Sequence, residues 1–183
     1  MNTQGKYKIS RYYENGQLKE ESHFKDGEYD GLFKQWHSNG QLEKEANYNN
    51  DKVDGLSKAW YSNGQLERES NYKDDKLDGL HNSWYANGQW EYESNYKDGE
   101  LDGFYNGWYE DGQFRYERTY KNGKEDELSK AWYKDGQLWY EANYKDGKRD
   151  GLSKHWHSNG QLRWETTYKD GEQISSAFDV SFQ

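Results

Sequence analysis

Every 24 residues this chain repeats itself, through seven copies and without an insertion. The tetrapeptide Asn-Gly-Gln-Leu begins at Asn15, Asn39, Asn63 and Asn159, and variants begin at Asn87, Asp111 and Asp135. A unit this short cannot bury a core alone, so it must stack on its neighbours, and the chain must be a repeat array. Further slots keep the same beat. Tyr12 is followed by Trp36, Trp60, Trp84, Trp108, Trp132 and Trp156, and Phe24 by Tyr48, Tyr72, Tyr96, Tyr120, Tyr144 and Tyr168. Glu21, Glu45, Glu69, Glu93, Glu117, Glu141 and Glu165 form a third row. Asp-Gly recurs at Asp30, Asp54, Asp78, Asp102 and Asp150, whereas the fifth copy has Asp126-Glu127.

Each copy holds two turn signals. The Asn-Gly of the tetrapeptide predicts a two-residue hairpin turn with positive φ at both central residues. The second signal lies eleven residues on, as at Asp98-Gly99 and Asp146-Gly147, and survives in weaker form at Asp74-Asp75. Between turns run stretches of strand length rich in Trp, Tyr and Leu, and the chain has no proline to interrupt a ladder. No segment sustains a 3.6-residue apolar stripe. The sequence therefore predicts an all-β fold, an elongated single antiparallel meander of about seven hairpin repeats. The array is expected over 1–171, with 1–11 as an N-terminal cap. Residues 172–183 abandon the pattern and are expected to cap the other end through Phe178 and Phe182.

With two-residue turns, Tyr61 is expected opposite Leu66, Ala59 opposite Arg68, Ser57 opposite Ser70 and Gly55 opposite Tyr72. Opposite charges then meet in Lys34–Glu45, Lys58–Glu69, Lys130–Glu141 and Lys154–Glu165, each contributing about 0.2–1 kcal/mol. No bulge is needed in this register. One face carries Leu, Tyr and small residues, the other Trp, Leu and the Lys–Glu pairs, and neither is plainly the buried one. Charged residues make up 32% of the chain, a disorder-like share, but 9 Trp and 18 Tyr oppose that reading and imply an aromatic core.

The unit from Trp60 to Leu80 resembles the MORN repeat, and more closely the variant of the bacterial YwqK-like antitoxin family. The likeness covers Tyr12 to Gly171. It implies a sheet of stacked hairpins used as a scaffold or interaction surface, with no activity of its own, and it points to an immunity or antitoxin role against a cognate toxin. Glutamate disfavours the backbone geometry that glycine permits, so the fifth copy's Asp126-Glu127 is expected to distort the chain locally.

Rows kept in every copy are structural by this reading, and slots that change carry the information. The slot of Glu20, Lys44 and Arg68 becomes Tyr92, Tyr116, Tyr140 and Trp164. A fold that tolerates charge there does not demand four aromatics. These four, with Tyr105 and His81 on the same face, are the expected partner-binding stripe, because Tyr and Trp bury large area with few rotatable bonds. Trp139 is expected to point to the other face. The alternative is that the rings fill a more tightly curled sheet.

The chain has no cysteine, which excludes disulfides, thiolate nucleophiles and Cys-ligated zinc. The Asp-Gly-x-x-Asp-Gly loops lack the dense acidic ligands of a calcium loop, and His155 with His157 has no third metal ligand. No nucleophile motif or phosphate-binding glycine loop occurs. A non-enzymatic module without cofactor or metal is expected. The formal charge of −9 opposes nucleic acid and anionic membranes and suits a basic toxin. No apolar run reaches the roughly 20 residues of a membrane helix, and Met1–Ser10 lacks a leader's hydrophobic stretch, so a cytoplasmic protein is expected. A structural scaffold, or a carbohydrate-binding module stacking exposed aromatics on sugar rings, are the competing functions.

Overall fold

A computed structural model describes residues 4–178. Fifteen β-strands and no helix make up these residues, in an antiparallel meander that follows chain order. Two compact units divide the chain between Gln89 and Trp90. The first contains β1 (Lys6–Tyr12), β2 (Leu18–Lys25), β3 (Glu28–Trp36), β4 (Leu42–Asn49), β5 (Lys52–Trp60), β6 (Leu66–Lys73) and β7 (Lys76–Trp84). The second contains β8 (Trp90–Lys97), β9 (Glu100–Trp108), β10 (Phe114–Lys121), β11 (Lys124–Trp132) and β12 (Leu138–Lys145). It continues with β13 (Lys148–Trp156), β14 (Leu162–Lys169) and β15 (Glu172–Phe178). β15 pairs with β14, so the segment after the last full repeat adds a strand. Phe182 lies outside the described residues, as does the side chain of Phe178.

The central register is the expected one. Gly55 faces Tyr72, Ser57 faces Ser70, Lys58 faces Glu69 and Ala59 faces Arg68. Ion pairs close at 2.9 Å for Lys34–Glu45, 2.7 Å for Lys58–Glu69 and 3.3 Å for Lys154–Glu165, and Lys130 stands opposite Glu141. The turns at the two ends of each hairpin differ in kind. At Asp98-Gly99 both residues have positive φ (52° and 91°), as the Asp-Gly signal predicts, and Asp74-Asp75 keeps this geometry at 48° and 66°.

The Asn-Gly turn departs from the expectation. Gly64 has φ 86°, but Asn63 is not in the left-handed region. The Gly64 N–H donates to the Tyr61 carbonyl at 2.8 Å and the Tyr61 N–H to the Gln65 carbonyl at 2.9 Å. This is a three-residue loop, a type I turn closed by a glycine bulge. Asn63 Oδ1 stabilises it by accepting the Gln65 N–H at 3.0 Å. The consequence is a register shift. Trp60 pairs with Leu66, so Tyr61 does not face Leu66, and Glu67 becomes an extra residue with no partner opposite. The bulge that the two-residue turn made unnecessary is therefore present, and it recurs at Lys19, Glu43, Arg115, Trp139 and Arg163.

A second irregularity sits at Asp-Gly. Ser94 pairs with Tyr105 but Tyr96 with Leu101, so Asp102, Gly103 and Phe104 stand opposite the single residue Asn95. The Asn95 amide donates to the Asp102 carbonyl at 2.6 Å, satisfying a backbone group that the ladder has lost. Gly103 has φ 116°, and a Cβ there would lie 3.4 Å from the Asn95 Cβ. Glu127 occupies this position in the fifth copy at φ 65°. The expected distortion is visible as a displacement by one residue. The irregularity takes in Arg118, and Thr119 is paired with Asp126.

The core is not aromatic in the sense expected. The most buried side chains are Ser22, Ala46, Ser94 and Ala142, all at 0% exposure, while all six Trp of the repeat row and the Tyr row from Tyr48 to Tyr168 are only half-buried. Rings are too large to be enclosed by one sheet, so they lie across it and roof the short side chains between them. Phe24, Tyr29, Phe33 and Tyr48 do this in the first unit, with centroids 4.5–6.3 Å apart. The sheltered face is thus the one with Tyr and small residues. The opposite face leaves Leu56, Leu80, Phe104 and Leu128 exposed.

Neighbouring repeats are also stitched side chain to backbone. In both units the residue after a Trp-row position donates to the Trp carbonyl one repeat on. Tyr13 reaches Trp36 at 2.6 Å, His37 Nε2 reaches Trp60 at 2.8 Å and Tyr61 reaches Trp84 at 2.8 Å. In the second unit Tyr109 reaches Trp132 and Tyr133 reaches Trp156, both at 2.9 Å. A non-glycine residue in left-handed geometry costs about 1–2 kcal/mol, partly offset by the entropy glycine adds to the unfolded chain. Glu127→Gly should therefore stabilise the protein by roughly 1 kcal/mol and Gly103→Ala destabilise it by a similar amount. Urea midpoints of the two variants, moving in opposite directions from the parent, are the expected result.

Candidate functional site

The changing slot places Tyr92 on β8, Tyr116 on β10, Tyr140 on β12 and Trp164 on β14, all on the sheltered face of the second unit. Tyr105 on β9 joins them, 6.3 Å from Tyr92 and 5.0 Å from Tyr116 between centroids. His81 belongs to β7 of the first unit, where Nδ1 lies 2.7 Å from Ser70 Oγ. Burial, reinforced by Arg68, lowers its pKa.

The stripe is built around one glycine. A Cβ on Gly107 would meet the Tyr116 ring at 2.3 Å, so the phenol lies directly across bare backbone. This close approach, not a positive φ, is what requires glycine there. Burial, then a hydrogen bond with Tyr105, raises the Tyr116 pKa. Further along, Tyr140 shares a hydrogen bond of 2.6 Å with the Tyr144 hydroxyl, and burial followed by that bond raises its pKa. His155 packs edge-on to Tyr140 at 4.8 Å and stacks on Trp164 at 3.9 Å. Burial, with Arg149 and Arg163 nearby, depresses the His155 pKa to about 4.

Trp139 is not on the other face. Its ring lies 5.5 Å from Tyr140 and 5.4 Å from His155, and it lines the same clefts. The cause is the bulge. Ala131 pairs with Tyr140 and Trp132 with Leu138, so Trp139 is the extra residue and escapes strand alternation. Arg115, the equivalent in the preceding copy, likewise turns its guanidinium over Tyr109 at 5.7 Å.

Charge on this face was missing from the sequence reading. Arg118 lies over Tyr116 at 5.2 Å, and Arg149 over Tyr140 at 5.8 Å and Tyr168 at 5.2 Å. Two adjoining clefts open among these groups. One of about 310 Å³ is lined by Tyr109, Arg115, Tyr116, Arg118, Ala131 and Trp139. The signal was available, since four of the six arginines fall in the second half of the chain. Strand pairing puts Arg118 and Arg149 on the Tyr face, and the bulge turns Arg115 towards Tyr109 beside them. The opposite face carries its own aromatic run. Trp90, Trp108, Phe114 and Trp132 follow at 5.2–5.8 Å, with Phe114 47% exposed.

Among the described residues no three of His, Asp and Glu converge to hold a metal ion, and no helix is long and apolar enough to cross a membrane. Hairpin repeats presenting side chains on a sheet define a repeat-based binding or scaffold module. The chain belongs to the MORN repeat variant family, whose pattern matches residues 8–26, 29–50, 53–74, 77–98, 128–146 and 149–170. MORN repeat proteins are generally non-enzymatic. No curated protein matches the chain. Residues 99–127, which hold Tyr105, Gly107, Arg115, Arg118 and Glu125, fall outside the matched segments.

The depressed His155 pKa has a direction in stability. Between pH 6.5 and about 4 the unfolded chain takes up a proton that the folded imidazole refuses. This group therefore costs no stability above pH 6.5 and destabilises the fold progressively as pH falls towards 4. A proton NMR titration should place the His155 midpoint near 4, and His155→Asn should remove this part of the acid sensitivity. A midpoint near 6.5 would refute the packing described.

Proposed function

We propose that this protein is a binding module whose contact surface is the aromatic–arginine face of the second unit, and that its partner is a protein toxin held inactive while bound. The observation that carries the surface is the change in one slot. Positions that hold Glu20, Lys44 and Arg68 in the first unit hold Tyr92, Tyr116, Tyr140 and Trp164 in the second, and of these Tyr116 and Tyr140 line clefts that they share with arginines. Tyr, Trp and Arg are the residues that dominate binding energy at protein interfaces. The toxin is proposed from the resemblance of the repeat to the YwqK-like antitoxin variant, and the setting is the cytoplasm of the producing cell. The formal charge of −9 favours approach of a basic partner over distances of about a Debye length, ~8 Å at physiological salt.

Immobilised protein should retain one partner from a lysate of its own source cells at 0.15–0.3 M salt, about one to two times physiological ionic strength. That partner should be toxic when expressed alone and harmless when co-expressed. Tyr140→Ala, a truncation at the centre of the face, should weaken capture by about tenfold to a hundredfold, in line with hot-spot losses of about 2 kcal/mol. Several unrelated proteins in place of one would leave the scaffold function, and retention on a polysaccharide column would favour sugar binding.

A further inference from the structure

Two arginines stand where the repeat has no use for charge. Arg118 occupies the slot of Ser22, Ala46, Ser70, Ser94, Ala142 and Thr166, which are 0–6% exposed. Arg149 occupies the slot of Tyr29, Val53, Leu77 and Leu101, and Glu125 is the other charged occupant. Six copies fold with a short side chain in the first slot, and four with an apolar or phenolic one in the second. Charges placed on a sheltered surface carry a desolvation cost that the short, apolar or phenolic residues of the other copies avoid.

Both guanidinium groups line one cleft of about 230 Å³, together with Glu125, Trp139, Tyr140, Tyr144 and His155. Their partners leave positive charge over. Arg118 Nε is 3.9 Å from Glu125 Oε1, a loose contact. Arg149 donates to the Tyr168 hydroxyl at 3.2 Å and the Tyr144 hydroxyl at 3.5 Å. Among the described residues no carboxylate pairs with it. Its guanidinium carbon lies 5.8 Å from the Tyr140 ring centre and 5.2 Å from that of Tyr168, and these contacts with the two hydroxyl bonds restrain the side chain, so less entropy is lost on binding.

We propose that this cleft is the specificity pocket of the binding face and takes a carboxylate, the side chain of an Asp or Glu presented by the protein partner. Arg149 is its main charge partner, Arg118 the second, and Trp139 and Tyr140 cover the carbon stem. The proposal rests on the reading that this face binds a protein. A guanidinium fork matches a carboxylate in geometry and gives charge-assisted bonds about twice as strong as neutral ones. A doubly charged phosphate suits the pocket less, because Glu125 stands in its wall. A polyphosphate backbone suits it less again, given the chain's overall charge.

The test is an NMR titration of the arginine Nε–H signals in the intact protein with N-acetylglutamate methylamide, its glutamine counterpart and inorganic phosphate. The Arg149 and Arg118 signals should move and saturate with the glutamate probe, with at least tenfold weaker binding of the glutamine probe and of phosphate. Arg149→Leu and Arg118→Ser restore residue types the repeat already uses in those slots. They should abolish the shifts while the urea midpoint holds or rises. No saturable shift, equal response to the glutamine probe, tighter phosphate binding, or retained binding in both variants overturns the pocket. Loss of the pocket with partner capture intact leaves the binding face standing. A working pocket with no partner captured overturns the face as a protein-binding surface, and the carboxylate site remains.

Discussion

Among the described residues each strand is held only by its neighbours in the sheet, and no second layer lies over either face. That constraint shapes the rest. Shelter cannot come from a facing sheet or helix, so it comes from rings laid across short side chains, and the best-buried residues are Ser and Ala. Backbone groups lost at each bulge cannot turn to another layer either. They are met by a side chain from the adjacent strand, as Asn95 meets Asp102 and Asn143 meets Leu152. An aromatic-rich, leucine-poor composition is what such a sheet requires, because a flat ring covers more neighbouring surface than a branched aliphatic chain can.

The period, the strand lengths and the Lys–Glu pairing were legible because each is a property of spacing alone. The Asp-Gly turns were legible because two positive-φ residues in sequence leave few alternatives. Asn-Gly was not decisive. It suits a two-residue turn and also the last two positions of a type I turn closed by glycine, and the choice moves the register by one residue on one side of the ladder. From that single shift follow the two misplacements in the sequence reading, Tyr61 opposite Leu66 and Trp139 on the far face. The aromatic stripe itself was readable from slot variation. The arginines were not, because Arg115, Arg118 and Arg149 sit at unrelated slots and meet only when the sheet and its bulges bring them together.

The bulge also explains how a strict repeat accommodates a specialised surface. A residue outside the pairing scheme is free of the alternation that fixes its neighbours, so it varies without disturbing the ladder. Lys19, Glu43, Glu67, Arg115, Trp139 and Arg163 show that freedom, spanning both charges and the largest aromatic. The conserved rows maintain the sheet, and the bulge and the slots beside it give each copy its own surface character.

The hydrogen bond from one repeat's tyrosine to the next repeat's tryptophan carbonyl has a direction, since the donor is always the earlier copy. Each unit therefore has a head and a tail, much like a chain of hooks and eyes. A copy inserted into the array must therefore offer a donor to the copy after it and a carbonyl to the copy before it. Growth of such an array by duplication is for that reason not symmetric, and the two ends of a unit face different demands when the chain is lengthened or cut.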